Sequence, residues 1–266
     1  MLDCKLGSIG RVVVKAGTSS LTDDNSRIDV GKVAKLVSEV MTLRRDGKAV
    51  ILVSSGAIGA GMGKIGLKAR PEEVPQLQAA AAIGQGLLMQ TYEFFFDNYE
   101  QPIAQLLLTK NDFDNPERHH NLRMTLEALL EWEVIPIVNE NDTVATEEIK
   151  VGDNDTLAAH VALGAEAGLL IILTDVDGLY TGNPSESQDS VLMRVVPEVT
   201  PEVESWASRR GRGFGGMYTK VQAAKQLARE GVPTVIVNSE EPSAISKALD
   251  GRAGTLFLPK GGESDE

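Results

Sequence analysis

Residues 11–53 read RVVVKAGTSSLTDDNSRIDVGKVAKLVSEVMTLRRDGKAVILV, and this stretch decides the fold class. It opens on an unbroken apolar run, Arg11–Lys15, and closes on another, Lys48–Val53. Continuous rather than alternating apolar strands are those covered on both faces, the usual state of a parallel sheet. Between them, Asp29–Arg45 carries a helix: Asp29 is a capping residue, Val33, Leu36, Val37 and Val40 repeat at helical spacing, and Gly47 stands just past the end. Strand, helix, strand is one parallel crossover.

The same alternation runs outward along the chain. Further buried strands are predicted at Pro102–Leu108, Val134–Val138, Gly168–Leu173 and Val232–Val237. Helices are predicted at Pro75–Tyr99, Arg118–Trp132, Asn154–Leu163, Met217–Arg229 and Pro242–Leu249. This order implies a three-layer α/β/α sandwich on a mostly parallel sheet. Neither a repeat nor a low-complexity linker interrupts it, so one domain is expected over residues 1–260. The Pro- and Ser-rich segment 175–205 reads as a hairpin or excursion over the sheet, and Gly261–Glu266 as a disordered acidic tail.

Composition narrows the function. The chain has 266 residues, 26 Lys+Arg against 38 Asp+Glu, and a net charge of −12. Such a balance argues against nucleic acid and against docking on anionic lipid. It leaves room for a small anion held by local cations. A single cysteine, Cys4, can form neither an internal disulfide nor a thiolate metal site, which fits a reducing, cytoplasmic setting. The longest strongly apolar run is Leu169–Leu173, far short of a membrane span, and the first residues lack the layout of a signal peptide.

In sheets of this class, ligands bind at the carboxyl ends of the strands. After the first strand stand Lys15-Ala16-Gly17-Thr18-Ser19-Ser20. A lysine closing an apolar strand either snorkels to water or meets an anion, and the neighbouring backbone and hydroxyl donors favour phosphate. Ser54–Gly63 after the second strand reads as a glycine-rich turn able to approach an anion. From Asn139 to Asp155 lie six acids and one lysine, a local −5: a solvated loop, or a site for an ammonium ligand or for lysines that need a counter-ion. Its spacing is not that of a calcium loop. Thr174–Tyr180 is a turn around Asp177-Gly178 that could also hold a ribose.

The stretch Ser205–Lys225 has five cations and no acid and reads as an anion site. Of two literal G-x-G-x-x-G matches, the one at Gly61–Gly66 begins about eight residues beyond its strand, with Ala81 where the ribose-binding acid belongs, and the one at Gly211–Gly216 has no strand before it, so neither fits dinucleotide binding. His119, His120 and His160 form no ligand or triad spacing, and Ser55 lacks the frame of a hydrolase nucleophile.

These loops, taken in order, resemble the amino-acid kinase superfamily and, within it, the glutamate 5-kinase family. The matching pieces are VVKAGTSSLT (Val13–Thr22), VSSGAIGAG (Val53–Gly61), VNENDTVATEEIKVGDND (Val138–Asp155), LTDVDGLYTGNP (Leu173–Pro184), GGMYTK (Gly215–Lys220) and GTLFLP (Gly254–Pro259). The resemblance implies the superfamily's three-layer fold. It also implies ATP-dependent phosphorylation of the γ-carboxylate of L-glutamate, the first step of proline biosynthesis, with Mg²⁺ carried by the nucleotide. Lys15 and Lys220 are assigned to the transferring phosphoryl group, and Asp155 to holding the two ammonium groups. Ser55, Asp142 and Asn154, with Asp153 close by, match the glutamate-binding positions. Thr174, Asp175 and the loop Phe214, Gly215, Gly216, Met217, Tyr218, Thr219 and Lys220 match the ATP site. A homo-oligomer and a glutamyl-phosphate reductase partner are implied as well.

The chain departs from the family at Ala16, where Leu is usual, and at Phe214, where a threonine is usual. The resemblance implies the form without a C-terminal PUA domain. Two rivals stand beside this reading: a kinase for another small carboxylate or phosphate acceptor, and a non-catalytic amino-acid sensor.

Overall fold

A computed structural model describes residues 6–145, 154–182, 189–208 and 216–260. Its core is one eight-stranded sheet. In chain order the strands are β1 (Arg11–Ala16), β2 (Ala49–Ser54), β3 (Ile103–Leu108), β4 (Ile135–Glu140), β5 (Leu169–Thr174), β6 (Val195–Val196), β7 (Thr234–Asn238) and β8 (Thr255–Phe257). They lie side by side as β3-β4-β2-β1-β5-β7-β8-β6, and among these pairings β7 with β8 is the antiparallel one. All six strands read from the sequence are present, each within two residues of its expected bounds. Two short strands, β8 beside β7 and β6 at the edge beyond it, complete the sheet.

Helices cover both faces. They are α1 (Val30–Arg45), α2 (Ala57–Ile65), α3 (Val74–Phe96), α4 (Lys110–Asp114), α5 (Pro116–Glu131), α6 (Asp155–Gly164), α7 (Pro201–Ser208), α8 (Met217–Arg229) and α9 (Ala244–Leu249). Asp29 caps α1 by accepting from the backbone of Gly31 at 2.9 Å and of Lys32 at 3.1 Å. Because successive strand residues point to opposite faces, the two hydrophobic layers divide each strand by parity. Val12, Val14, Val50, Leu52, Leu169 and Ile171 meet α1, α3 and α9. Val13, Ile51, Val53, Leu170 and Ile172 meet α5, α6 and α8. Lys15 shares the parity of Val13 and therefore faces the layer of α6 and α8.

Ser54–Gly63, expected as a glycine-rich turn, is instead mostly helix. Gly56, at φ 91°, lets the chain turn off β2 into α2. The glycines inside α2 serve its packing. A Cβ at Gly61 would sit 1.8 Å from the Ala80 carbonyl oxygen, and one at Gly84 would sit 1.8 Å from that of Ala57. The backbones of α2 and α3 are thus in direct contact, with Ile58, Met62, Leu77, Ala80, Ala81 and Ala145 closing a small core around them. After β5, Tyr180 and Leu192 form an antiparallel bridge, and the unforeseen α7 follows.

The contact between α2 and α3 makes a sharp prediction. Gly84→Ala is expected to cost about 3 kcal/mol or more, the upper end of overpacking. Gly86→Ala, two residues along the same helix with no atom within 4 Å of its new methyl, is expected to stabilise by up to about 1 kcal/mol. Urea unfolding of the two variants checks this; equal midpoints would mean that the helices do not touch here.

Candidate active site

β1 runs to β2 on one side while β5 runs to β7 on the other, so the crevice between the carboxyl ends of β1 and β5 is a topological switch point. Lys15 lies at that end of β1. Its Nζ is 2.6 Å from Asp155 Oδ1, and Lys220 Nζ is 3.0 Å from Asp155 Oδ2. Asp155 is the first residue of α6, where the helix dipole favours a negative charge. Lys220 is in the first turn of α8. The Thr219 hydroxyl donates to Asp155 Oδ2 at 2.9 Å, with the Gly216 carbonyl 2.8 Å away as its other acceptor.

Exposure decides what this cluster can do. Lys15, Asp155 and Lys220 are 3%, 0% and 4% exposed. Two ammonium groups therefore meet at one carboxylate, out of reach of bulk water. Two ammonium groups held this close together favour an anionic ligand that can touch both. The space for one is at Gly17, where a Cβ would stand 3.6 Å from Lys15 Nζ and 3.4 Å from the Leu173 carbonyl oxygen. Any side chain there would fill the room beside the ammonium.

A cleft opens next to this cluster, lined by Ser55, Arg70, Asn139, Glu140, Asp142 and Asn154 among others. Its floor is a chain of buried amides. Asn154 Nδ2 donates to Asn139 Oδ1 at 2.7 Å, and Asn139 Nδ2 donates to Gln85 Oε1 at 2.7 Å. Asn139 follows the parity of Ile137 and so faces α3, where Gln85 is waiting. The Ser55 hydroxyl is buried and has no hydrogen-bond partner among the described residues. A buried hydroxyl of that kind is one a ligand would satisfy. Burial pushes the Asp142 carboxyl up to about 6, against the opposing pull of Arg70.

The remaining sequence candidates spread along the crevice. Thr174 is buried at the end of β5, and its hydroxyl donates at 3.1 Å to the exposed Asp175. Gly216 caps α8, Met217 is buried in the core, and Tyr218 is 40% exposed. Asp153, Phe214 and Gly215 lie outside the described residues. So do Arg209, Arg210 and Arg212, three of the five cations of the basic stretch. The other two are committed to acids: Lys220 to Asp155, and Lys225 to Glu204 at 2.7 Å. Local charge counting could not foresee the second pairing.

Motif reading passed over Arg70, which lines the cleft, and Gln85, which lies behind Asn139. Gln85 left a signal, as the one polar side chain on the buried stripe Leu77, Ala81, Gly84, Leu88, Tyr92 of α3. His160 stacks near Phe113, with centroids 5.0 Å apart, and its burial holds the imidazole below its usual range.

Comparison with known proteins returns one family. The amino acid kinase family matches over residues 10–238. A glutamate 5-kinase of Caldanaerobacter subterraneus subsp. tengcongensis is 51% identical over 252 residues, 94% of this chain and 68% of its own. One from Clostridium acetobutylicum is 47% identical over 96% of this chain and 97% of its own. Among solved structures, carbamate kinase from Giardia lamblia bound to AMP-PNP matches with a TM-score of 0.65 and 19% identity, over 95% of this chain and 99% of its own. UMP kinase from Ureaplasma parvum matches with a TM-score of 0.65 and 14% identity, over 94% and 99%. At such identities the two structures establish the three-layer fold.

The raised Asp142 carboxyl gives a signed pH test. Its folded pKa lies above the unfolded value, so its contribution to stability is present at low pH and is lost as pH rises through about 6. Asp142→Asn is therefore expected to be more stable than the parent at pH 8, the difference closing by pH 4. Melting curves at both values decide it; an Asn variant less stable at pH 8 would contradict the burial of this charge.

Proposed function

The chain belongs to the amino acid kinase family, and from that premise we infer that it transfers the γ-phosphoryl group of ATP to the γ-carboxylate of L-glutamate, giving L-glutamyl 5-phosphate and ADP. That reaction is the entry to proline biosynthesis. The observation that carries the reading is the buried Lys15–Asp155–Lys220 cluster beside a cleft that ends in Ser55, Asn154 and Asp142. A phosphoryl group fits the two adjacent ammonium groups; an amino acid fits the cleft.

The chemistry asks for placement more than for proton transfer. The γ-carboxylate, which in water titrates at about 4.3, is already ionised at neutral pH. One of its oxygens bonds to the γ-phosphorus as the bond from that phosphorus to the β,γ-bridging oxygen breaks, and the electron pair leaves with ADP. No proton moves, so no histidine is needed in the site. What remains is to hold two anions in line and to neutralise the charge spread over the transferring group. Lys15 and Lys220, each held by one oxygen of Asp155, are assigned that task. Thr174, Asp175 and the start of α8 are assigned to the nucleotide, and Asp142 to the substrate ammonium.

With both oxygens of Asp155 engaged by Lys15, Lys220 and Thr219, Mg²⁺ is assigned to the nucleotide's phosphates rather than to this carboxylate. When bound, it neutralises phosphate charge. The finer expectations are extensions of the same reading: one kinase domain over residues 1–260, a homo-oligomer, a cytoplasmic setting, and a glutamyl-phosphate reductase that takes up the labile acyl phosphate.

Hydroxylamine trapping with ATP and glutamate, aspartate or N-acetylglutamate tests the reaction. Hydroxamate is expected from glutamate; its absence, or a preference for another acceptor, would overturn the assignment. Lys220→Ala is expected to lower kcat roughly 100-fold or more, the scale of losing one preorganised donor, with a far smaller change in glutamate KM. An unchanged kcat would remove Lys220 from the transition state. Asp142→Ala is expected to act chiefly on glutamate KM, and a pure kcat defect would contradict its role.

A further inference from the structure

Helix α2 stops at Gly66, whose φ of 74° turns the chain away, and α3 begins after an extended Glu73. The link between them, 66–73, reads GLKARPEE. Arg70 precedes Pro71, whose ring disfavours helical conformations for the residue before it and keeps Arg70 extended. From this link Arg70 reaches back over the cleft that Ser55, Asp142 and Asn154 line. It is the one cation among the described residues of that lining, and it faces Asp142, on whose carboxyl it acts electrostatically.

An α-amino acid presents an ammonium and a carboxylate on the same carbon. A site that recognises the headgroup must therefore offer an anion and a cation side by side. The γ-carboxylate that accepts phosphate cannot also fill this role, because it lies toward Lys15 and Lys220. The geometry points to Arg70 as the residue that binds the α-carboxylate of the substrate, so that Arg70 and Asp142 together read the headgroup. Before substrate enters, the two side chains answer each other. When the zwitterion arrives, its ammonium replaces Arg70 at Asp142 and its carboxylate replaces Asp142 at Arg70. Neither protein charge is left bare at either stage, and the planar guanidinium suits a bidentate carboxylate contact. The assignment makes Arg70 a specificity residue: it separates glutamate from molecules that keep the ammonium and the γ-carboxylate but lack the α-carboxylate.

The inference rests on the glutamate reading above, and its test compares L-glutamate with its α-amide in the full chain. Each is measured as a substrate by hydroxamate formation or, where turnover is too slow, as a competitor of glutamate. Arg70→Gln is expected to raise KM for glutamate roughly 10- to 100-fold, the scale of one charge-assisted contact. The constant for the α-amide should barely move, so the parent's preference for glutamate collapses. Arg70→Lys should restore part of that preference, while KM for ATP stays at the parental value in both variants. An unchanged ratio of glutamate to α-amide in Arg70→Gln would overturn the assignment of Arg70 while leaving the kinase reading intact. Failure of the parent chain to phosphorylate glutamate at all would overturn that reading, and this inference with it.

Discussion

Two lysines share one buried carboxylate, and the rest of the site is arranged around that fact. Lys15 and Lys220 come from opposite ends of the chain, and Asp155 holds an ammonium on each of its oxygens. The cluster gathers two ammonium groups at one point with essentially no water around them. Such a pair of donors is complementary to a phosphoryl group. Burying an ion cluster is poor economy for stability, since apolar side chains of similar size generally do as well or better. Its retention in the middle of an apolar sheet points to chemistry.

The fold supplies each member for an independent reason. Strand parity turns Lys15 toward α6 and α8 rather than toward α1 and α3. Asp155 sits in the first turn of one of those helices and Lys220 in the first turn of the other, so both meet the strand end where the switch point opens the sheet. The substrate side is built the same way. β4 carries Asn139 near its end, whose parity points it to Gln85 on α3, and the amide chain that results fixes Asn154 immediately before Asp155. One peptide bond thus joins Asn154, which lines the cleft, to Asp155, which holds both lysines.

Much of this was legible in the sequence, and for identifiable reasons. Unbroken apolar runs marked the central strands, because a strand covered on both faces needs no polar alternation. A lysine ending such a run raised the question of its anion before any partner was known. What escaped was information that needs two distant segments at once. The glycines of 56–63 look like a turn until Gly61 is set against Ala80 and Gly84 against Ala57, contacts that periodicity within one segment cannot reveal. The basic stretch 205–225 looks uniformly free until Lys225 is seen on Glu204. Arg70 has no motif around it, and its meaning comes from Asp142 across the cleft. The net charge of −12 averaged over all these local pairings.

The central claim is that Lys15 and Lys220 act on the phosphoryl group in transit rather than on bound ATP. Calorimetric titration of glutamate-saturated protein with ADP and aluminium fluoride, which together mimic that group in flight, addresses it directly. The parent should bind this combination roughly 100-fold or more tightly than ADP alone, as transition-state mimics do. Lys15→Met and Lys220→Met should each lose most of that gain while still binding ADP. Variants that keep the full gain would contradict the account.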